Sequence, residues 1–534
     1  MAKNSRKLLL TALLALLFLA SARTLMIAHA AQIVIQLEWF NPMLVHDVAV
    51  SDDGNYLAAV NNTGLHYFDA DSSTPLWWYQ PSTTFLSVAI SGDGDYVVAG
   101  DNEGILHYFN QSRARTDEQT EPTWTSIDLG GPIEKGTLDM SSNGNFTVVG
   151  GTGTSIWYFA DCHKRAGADN MHTWTSGVGS EFYTVHISAN GRYVAGGGAI
   201  GFNGFVVFYE NATTMSGYVS PKWFAHSQLP THIIDLALSN DGYAVAAVDV
   251  PEGIGTLYYW ANATKLTGDP NATWTDPGSF WRIDMSGNGD TVVAGGIYYT
   301  SVHFWSNART RTDIQSEDWV RLETVNVYDI SISTDGNLMA VPTMNMTGSY
   351  LAYFLTSDGA ILNDFVLPQF TNMVSMSDLG ETIAMAGPGY DSLYVFKATI
   401  DSKPPDINQV TQNPDKDSVH PDTAVEIFAN VTDELSGVKQ VILNYTTGNG
   451  TWFTQIMNPY STDIFNGTIP AFPYCTTVTY IIIAEDNANN TITTAQLELD
   501  LQYHVIPEFT TAYLMLTFMA MTILYAAASR RKKI

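Results

Sequence analysis

Cysteine is nearly missing from this chain: Cys162 and Cys475 are its only two in 534 residues. They fall in regions of different character, so neither a disulfide framework nor a thiolate metal site is expected. Charge is scarce as well, at 14% of residues against roughly 25% in an average soluble domain. What charge exists is one-sided, with 24 Lys and Arg facing 53 Asp and Glu. Eight of those basic residues sit in residues 1–30 and 530–534, where no acid occurs, so the body between them is more acidic than the net −29 suggests. Such a body repels nucleic acid. Long apolar runs are absent from the interior and occur only at the two ends. Together these shortages exclude a coiled coil, a disordered chain and a cytosolic helical enzyme.

The ends predict a compartment. Lys3, Arg6 and Lys7 precede an apolar run over 8–20, and Ala28-His29-Ala30 follows, the pattern of a secretory signal peptide over 1–30. At the other end Pro507-Glu508-Phe509 opens an apolar stretch within 507–529, closed by the basic tail 530–534. This predicts a type I membrane span with its positive end inside. The three elements resemble archaeal C-terminal sorting signals of the Pro-Glu-Phe type. By that resemblance a sorting enzyme would recognise Pro507, Glu508 and Phe509 and exchange the helix for a lipid. Either route tethers the chain to the outer face of the cell membrane.

Twelve Asn-x-Ser/Thr sequons suit an exported chain: Asn61, Asn110, Asn145, Asn211, Asn262, Asn271, Asn345, Asn430, Asn444, Asn449, Asn466 and Asn489.

The dominant signal is internal repetition. Eight copies read apolar-x-apolar-Ser-x-Asp/Asn-Gly followed by an apolar strand, as in VAVSDDGNYLAAV, VAISGDGDYVVAG and IDMSGNGDTVVAG, with a degenerate eighth, VSMSDLGETIAMA. Their anchoring serines are Ser51, Ser91, Ser141, Ser188, Ser239, Ser286, Ser333 and Ser377. Each copy holds four strand-like pieces: an inner strand, a tight turn at Asp/Asn-Gly, a second strand, a third ending in aromatics, and a fourth with an aromatic. Those aromatics are Trp39, Trp78, Trp124, Trp174, Trp223, Trp274, Trp319 and Phe365. Four strands in ~40 to 50 residues predict a propeller blade, so 32–400 is expected to be an eight-bladed β-propeller. The eighth copy lacks an outer strand of its own. The spare strand IQLEWF at 35–40 is expected to supply it and close the ring.

SVAISGDG and YVVAG resemble WD-repeats, and YFDADSSTPLWWYQ resembles the repeat of quinoprotein dehydrogenases. The resemblance implies a propeller fold. For activity, a quinoprotein would need a calcium-binding carboxylate set, an Asp base and commonly a vicinal cysteine pair, and this chain has no Cys-Cys. After the linker 401–406, residues 407–502 alternate apolar and polar residues between turns, as an antiparallel sandwich does. DELSGV and DNANN there resemble Ig-like or fibronectin-like modules, placed as a stalk. The fold class is therefore all-β, with a C-terminal transmembrane helix.

No nucleophile elbow, phosphate loop or His-Glu-x-x-His motif occurs. The candidate ligand residues are inner-strand polar groups expected near the ring axis: Asp139, His186 and Asp284 two residues before the serine, and Asp47, Asp235 and Asp329 four before it. No cofactor is expected, calcium being the one that such carboxylates could take, and Asp433, Glu434 and Asp486 form a second candidate set in the module. Basic residues between third and fourth strands, notably Arg113, Arg115, Lys164, Arg165, Arg309 and Arg311, make the loop face a candidate docking surface. The sequence thus favours a surface-tethered binding or scaffold protein for a glycan, protein or polymer. A quinoprotein-like enzyme and a surface-layer tile are the alternatives.

Overall fold

The computed structural model describes residues 32–530 except 117–120, 152–154, 179–180, 228–230, 251–254, 298–299, 388–391, 449 and 508–510. Signal segment 1–30, Glu508, Phe509, Asn449 and the last four residues lie outside the described residues. The chain divides into two compact units, one spanning 35–399 and the other taking in 400–534.

The repeat motif has a physical reason. In the first copy Ser51 Oγ accepts the Tyr56 amide at 3.1 Å and donates to Asp53 Oδ1 at 2.6 Å, which fixes the reversal between Asp47–Val50 and Tyr56–Asn61. The same serine-to-amide bond recurs in all eight copies. Gly94 shows why glycine must follow in such a turn. It sits at φ +73°, and a Cβ there would lie 2.6 Å from the ring of Tyr56 in the preceding copy.

Each copy builds a small antiparallel sheet, in the first copy with order Asp47–Val50, Tyr56–Asn61, Gly64–Asp69, Trp77–Tyr79. Two copies share one eight-stranded sheet because Trp319–Val327 also pairs Leu338–Asn345. The eighth sheet is completed by Gln32–Asn41, which lies beside Ser392–Asp401 as the spare-strand argument expects. Inner strands pack copy against copy in sequence order, and the last, Met373–Met376, packs against the first, so the arrangement is a closed ring.

Two side-chain clasps join neighbours. The outer-strand tryptophan stacks on an aromatic of its own copy, as Trp274 does on Tyr259 at 5.0 Å, and its indole N–H donates to a loop carbonyl of the next copy. Seven such bonds of 2.8 to 2.9 Å run Trp39 to Ala70, Trp77 to Ser112, Trp124 to Cys162, Trp174 to Ala212, Trp223 to Ala263, Trp274 to Ala308 and Trp319 to Ser357. In the first copy the clasp residue is Trp77, not the expected Trp78, which stands on the opposite, half-exposed side of the strand. At the eighth junction Phe365 has no donor and packs on Phe396 at 5.1 Å. The second clasp runs from third-strand tyrosines to turn glycines of the next copy, as from Tyr108 to Gly144 O and Tyr158 to Gly191 O at 2.8 Å.

In the second unit, strands Asp406–Asn413, Val425–Thr432, Ile464–Ile469 and Asn458–Ser461 form one sheet. Val438–Thr446 and Thr477–Asp486 are central to the other, and the two sheets enclose one apolar core around Ile427, Leu443 and Ile482. Strand Ser392–Asp401 runs through the expected boundary at 400, so the connecting stretch is shorter than 401–406. Thr511–Arg530 is a helix whose large apolar residues from Met515 to Tyr525 are exposed. Among the described residues no helix is long and apolar enough to cross a membrane.

Replacing Trp274 by Phe keeps most of the apolar contact and removes one clasp bond, so unfolding free energy should fall by about 1 kcal/mol. Trp274→Ala should cost about 3 to 5 kcal/mol. Urea denaturation followed by tryptophan fluorescence and circular dichroism measures both.

Candidate functional site

The inner strands carry five of the six predicted axial residues, Asp329 lies just before its inner strand Ser331–Ile332, and the structure gives each carboxylate the same employment. Asp139 accepts the amide of Met140 with Oδ1 and that of Ile187, in the next copy, with Oδ2. Asp284 does so with Met285 and Ile332, Asp235 with Leu236 and Ile283, Asp329 with Ile330 and Val374, and Asp47 with Val48 and Val88. Ser375 Oγ completes the pattern by accepting the Val50 amide. The acids are thus bridges between copies rather than a convergent ligand set.

They form layers along the axis. Nearest the start of the inner strands are Asp47, Asp235 and Asp329, with Lys135 Nζ 2.6 Å and Arg282 Nε 3.9 Å from Asp329. Next come Asp139, Asp284 and His186, whose Nδ1 stands 3.5 Å from Asp139 Oδ2. At the far end the eight turns join through a closed circle of backbone hydrogen bonds, in which the amide of the residue after the serine, or of Asp53 in the first copy, donates to the next copy. Asp52 and Asp378 belong to that circle.

Burial dominates the electrostatics here. It pushes Asp47 up to about 6 against the opposing pull of Lys135 and the Val88 amide, and Asp284 up to about 7 against the bonds from Ile332 and Met285. Burial likewise raises Asp235, and it raises Asp52 to about 6 with help from the charge of Asp378. His186 moves upward although burial opposes its charge, because Asp139, Asp235 and Asp284 all favour the imidazolium.

The basic loop residues are spent locally too. Arg115 lies over Trp77 and Phe109 and donates to the Asn110 and Glu121 carbonyls, and Arg165 repeats this over Trp124 and Phe159 with Ala160 and Met171. Arg311 braces its own loop through Ser306 and Ser316. Arg113 pairs with Asp93 and Asp95, Lys164 with Asp161, and Arg309 with Asp241. Several of these loops lie along the outer strand of the preceding copy, as Gly167–Asn170 does in parallel beside Trp124–Ser126.

In the second unit, Asp401, Asp433 and Asp486 bring one carboxylate oxygen each within 4.8 Å of one another, with Asp401 and Asp486 fully buried. Asp433 and Asp486 were expected there. Glu434 was expected as well but is exposed, and Asp401 takes its place. Burial raises Asp486, and the charges of Asp401 and Asp433 raise it further against bonds from Asn490. This is the one group of three such residues among those described that is spaced to hold a metal ion. Sequence reasoning missed Asp401, Lys135, Arg282, Asp52 and Asp378. Asp401 ends a strand at the domain boundary and Lys135 sits in a connecting loop, so neither belongs to a repeated position.

No family model matches the chain, and no curated protein does. Among 1043 solved chains that match in structure is one described as "Structure of Dos1 propeller", with a TM-score of 0.51, 10% identity, and coverage of 68% of this chain and 94% of that one. Residues 35–399 form a β-propeller. The likeness concerns fold alone.

The raised axial groups set a pH dependence. A carboxyl whose folded pKa exceeds its unfolded value contributes stability that is complete below the unfolded value and lost as pH rises through the folded one. The raised His186 acts in the same direction. Stability from these groups should therefore fall from about pH 4 to about pH 8, and Asp284→Asn should flatten the slope. Melting temperatures of both proteins across that range measure it.

Proposed function

We propose that this chain is an exported, membrane-tethered surface protein in which an eight-bladed propeller, carried on an Ig-like module, serves as a rigid binding or scaffold element for an extracellular protein, glycan or polymer. The eight-blade count is supported by the eight inner strands in the ring and by the division of its eight-stranded sheet into two repeat copies. Tethering is supported by the exposed apolar side chains from Met515 to Tyr525 and by the basic residues that close the sequence after them, and export by the leader pattern in 1–30. The observation that carries the binding role is that the axial acids are consumed in bridging copies and the loop cations are bonded to groups within the propeller. The outer surface is left as the part free to vary. Crosslinking on intact cells followed by mass spectrometry should recover one partner class reproducibly through propeller loops. Recovery of no partner in abundant protein would reject the role, and crosslinks only between copies of this chain would mark a surface-layer tile.

Export carries a sharper expectation about glycans. Asn211, Asn262 and Asn271 are exposed, whereas Asn61 is buried, donates its amide to Leu44 O and accepts from Thr63 and Gly64. Glycopeptide mapping of protein from its native membrane should find sugar at the first three and none at Asn61. Occupancy at Asn61 would contradict the folded geometry.

Calcium at Asp401, Asp433 and Asp486 is part of the proposal, since three clustered carboxylates match its preference for oxygen ligands. Added calcium should then raise the melting temperature of the exported part, chelator should reverse the gain, and Asp401→Asn should abolish it.

A further inference from the structure

The channel has a fastening at one mouth that the repeat does not explain. The loop over residues 127–137, between the outer strand of the second copy and the inner strand of the third, is pinned at two points. Leu129 and Ile133 are buried, their amides donate to Gly104 O and Asp101 O, and Ile133 packs into the space that Gly100 leaves by lacking a Cβ. Beyond the pins the loop turns at Gly136, φ +83°, whose carbonyl accepts the Val185 amide. This turn delivers Lys135 to Asp329 of the seventh copy, 194 residues away in sequence.

The inner strands pack in sequence order around a closed ring. From the third copy to the seventh is four steps in either direction, so Lys135 and Asp329 belong to opposite sides. A lysine reaching Asp329 from the third copy must cross the axis. Arg282 of the sixth copy lies alongside, held by its donation to the Tyr328 and Trp281 carbonyls, so two long cationic side chains stand in the opening. We propose that Lys135 is a bolt across the channel mouth that bars solutes from the carboxylate layers beneath it. The inference rests on the ring geometry and not on the binding role proposed above.

The test uses the full chain carrying Ser331→Cys. Position 331 lies on the inner strand of the seventh copy, two residues before its serine, one layer deeper than Asp329. The native thiols are internal controls: Cys475 is exposed and reports reagent activity, and Cys162 is buried and reports loosening of the ring. Modification by a cationic methanethiosulfonate reagent is followed at each cysteine by peptide mass spectrometry, with Lys135 present and with Lys135→Ala or Lys135→Met. Lys135→Met keeps the side-chain bulk without the charge and serves if the alanine variant does not fold.

With Lys135 present, the thiol at 331 should react much more slowly than Cys475. Either substitution should speed it by at least about tenfold while Cys162 stays unreactive, and Lys135→Arg should retain the slow rate. The proposal is overturned if position 331 already reacts as fast as Cys475 with the bolt in place. It is equally overturned if removing the lysine leaves the rate unchanged, or raises it only together with that of Cys162.

Discussion

The bond from an outer-strand indole to the neighbouring copy's loop carbonyl is the interaction on which the ring depends. Each copy is a small sheet that cannot bury both faces alone, and stacking copies supplies the missing cover. Apolar packing sets no register between neighbours. The indole does, because its N–H must find one carbonyl at 2.8 to 2.9 Å. Stacked on an aromatic of its own copy and bonded to the next, each of these tryptophans except Trp39, whose ring meets Phe68 of the copy it bonds to, belongs to two copies at once. In five of the seven clasps the carbonyl is presented by a short helical turn that begins at a residue in left-handed conformation, such as Asn262 at φ +55° or Asn307 at φ +52°. That explains why asparagine recurs there.

The axial acids perform the same joining nearer the centre. Two oxygens on one carboxylate satisfy an amide in each of two copies, which a hydroxyl or an amide oxygen does less completely. The cost is several carboxylates gathered in a confined space. Burial raises the pKa values of Asp47 and Asp284, and the cations Lys135 and Arg282 stand beside Asp329 to offset the gathered charge. Structural and functional readings of the same acids are therefore in competition, and bonds from both oxygens to backbone amides favour the structural one.

The repeat was legible in sequence because its parts are local. Ser, Asp/Asn and Gly make one turn within six residues, and the closing strand stood out because the eighth copy ended early. The same locality misleads where neighbouring residues look alike. Trp77 and Trp78 are equivalent as letters, and only strand register decides which faces the adjoining copy. The loop cations read as a docking face because their partners, among them main-chain carbonyls and Asp241 in another copy, come from folding rather than from spacing. The Asp401 cluster and the Lys135 bridge join positions far apart in the chain and outside the repeated unit, where periodicity carries no information.

The clasps are expected to make one cooperative ring rather than a row of separate sheets. Hydrogen exchange of the indole N–H groups, resolved by NMR on selectively labelled tryptophan, tests it most directly. The clasped indoles of Trp39, Trp77, Trp124, Trp174, Trp223, Trp274 and Trp319 should exchange with a shared opening free energy equal to that of global unfolding. Distinct and lower opening energies from copy to copy would contradict it.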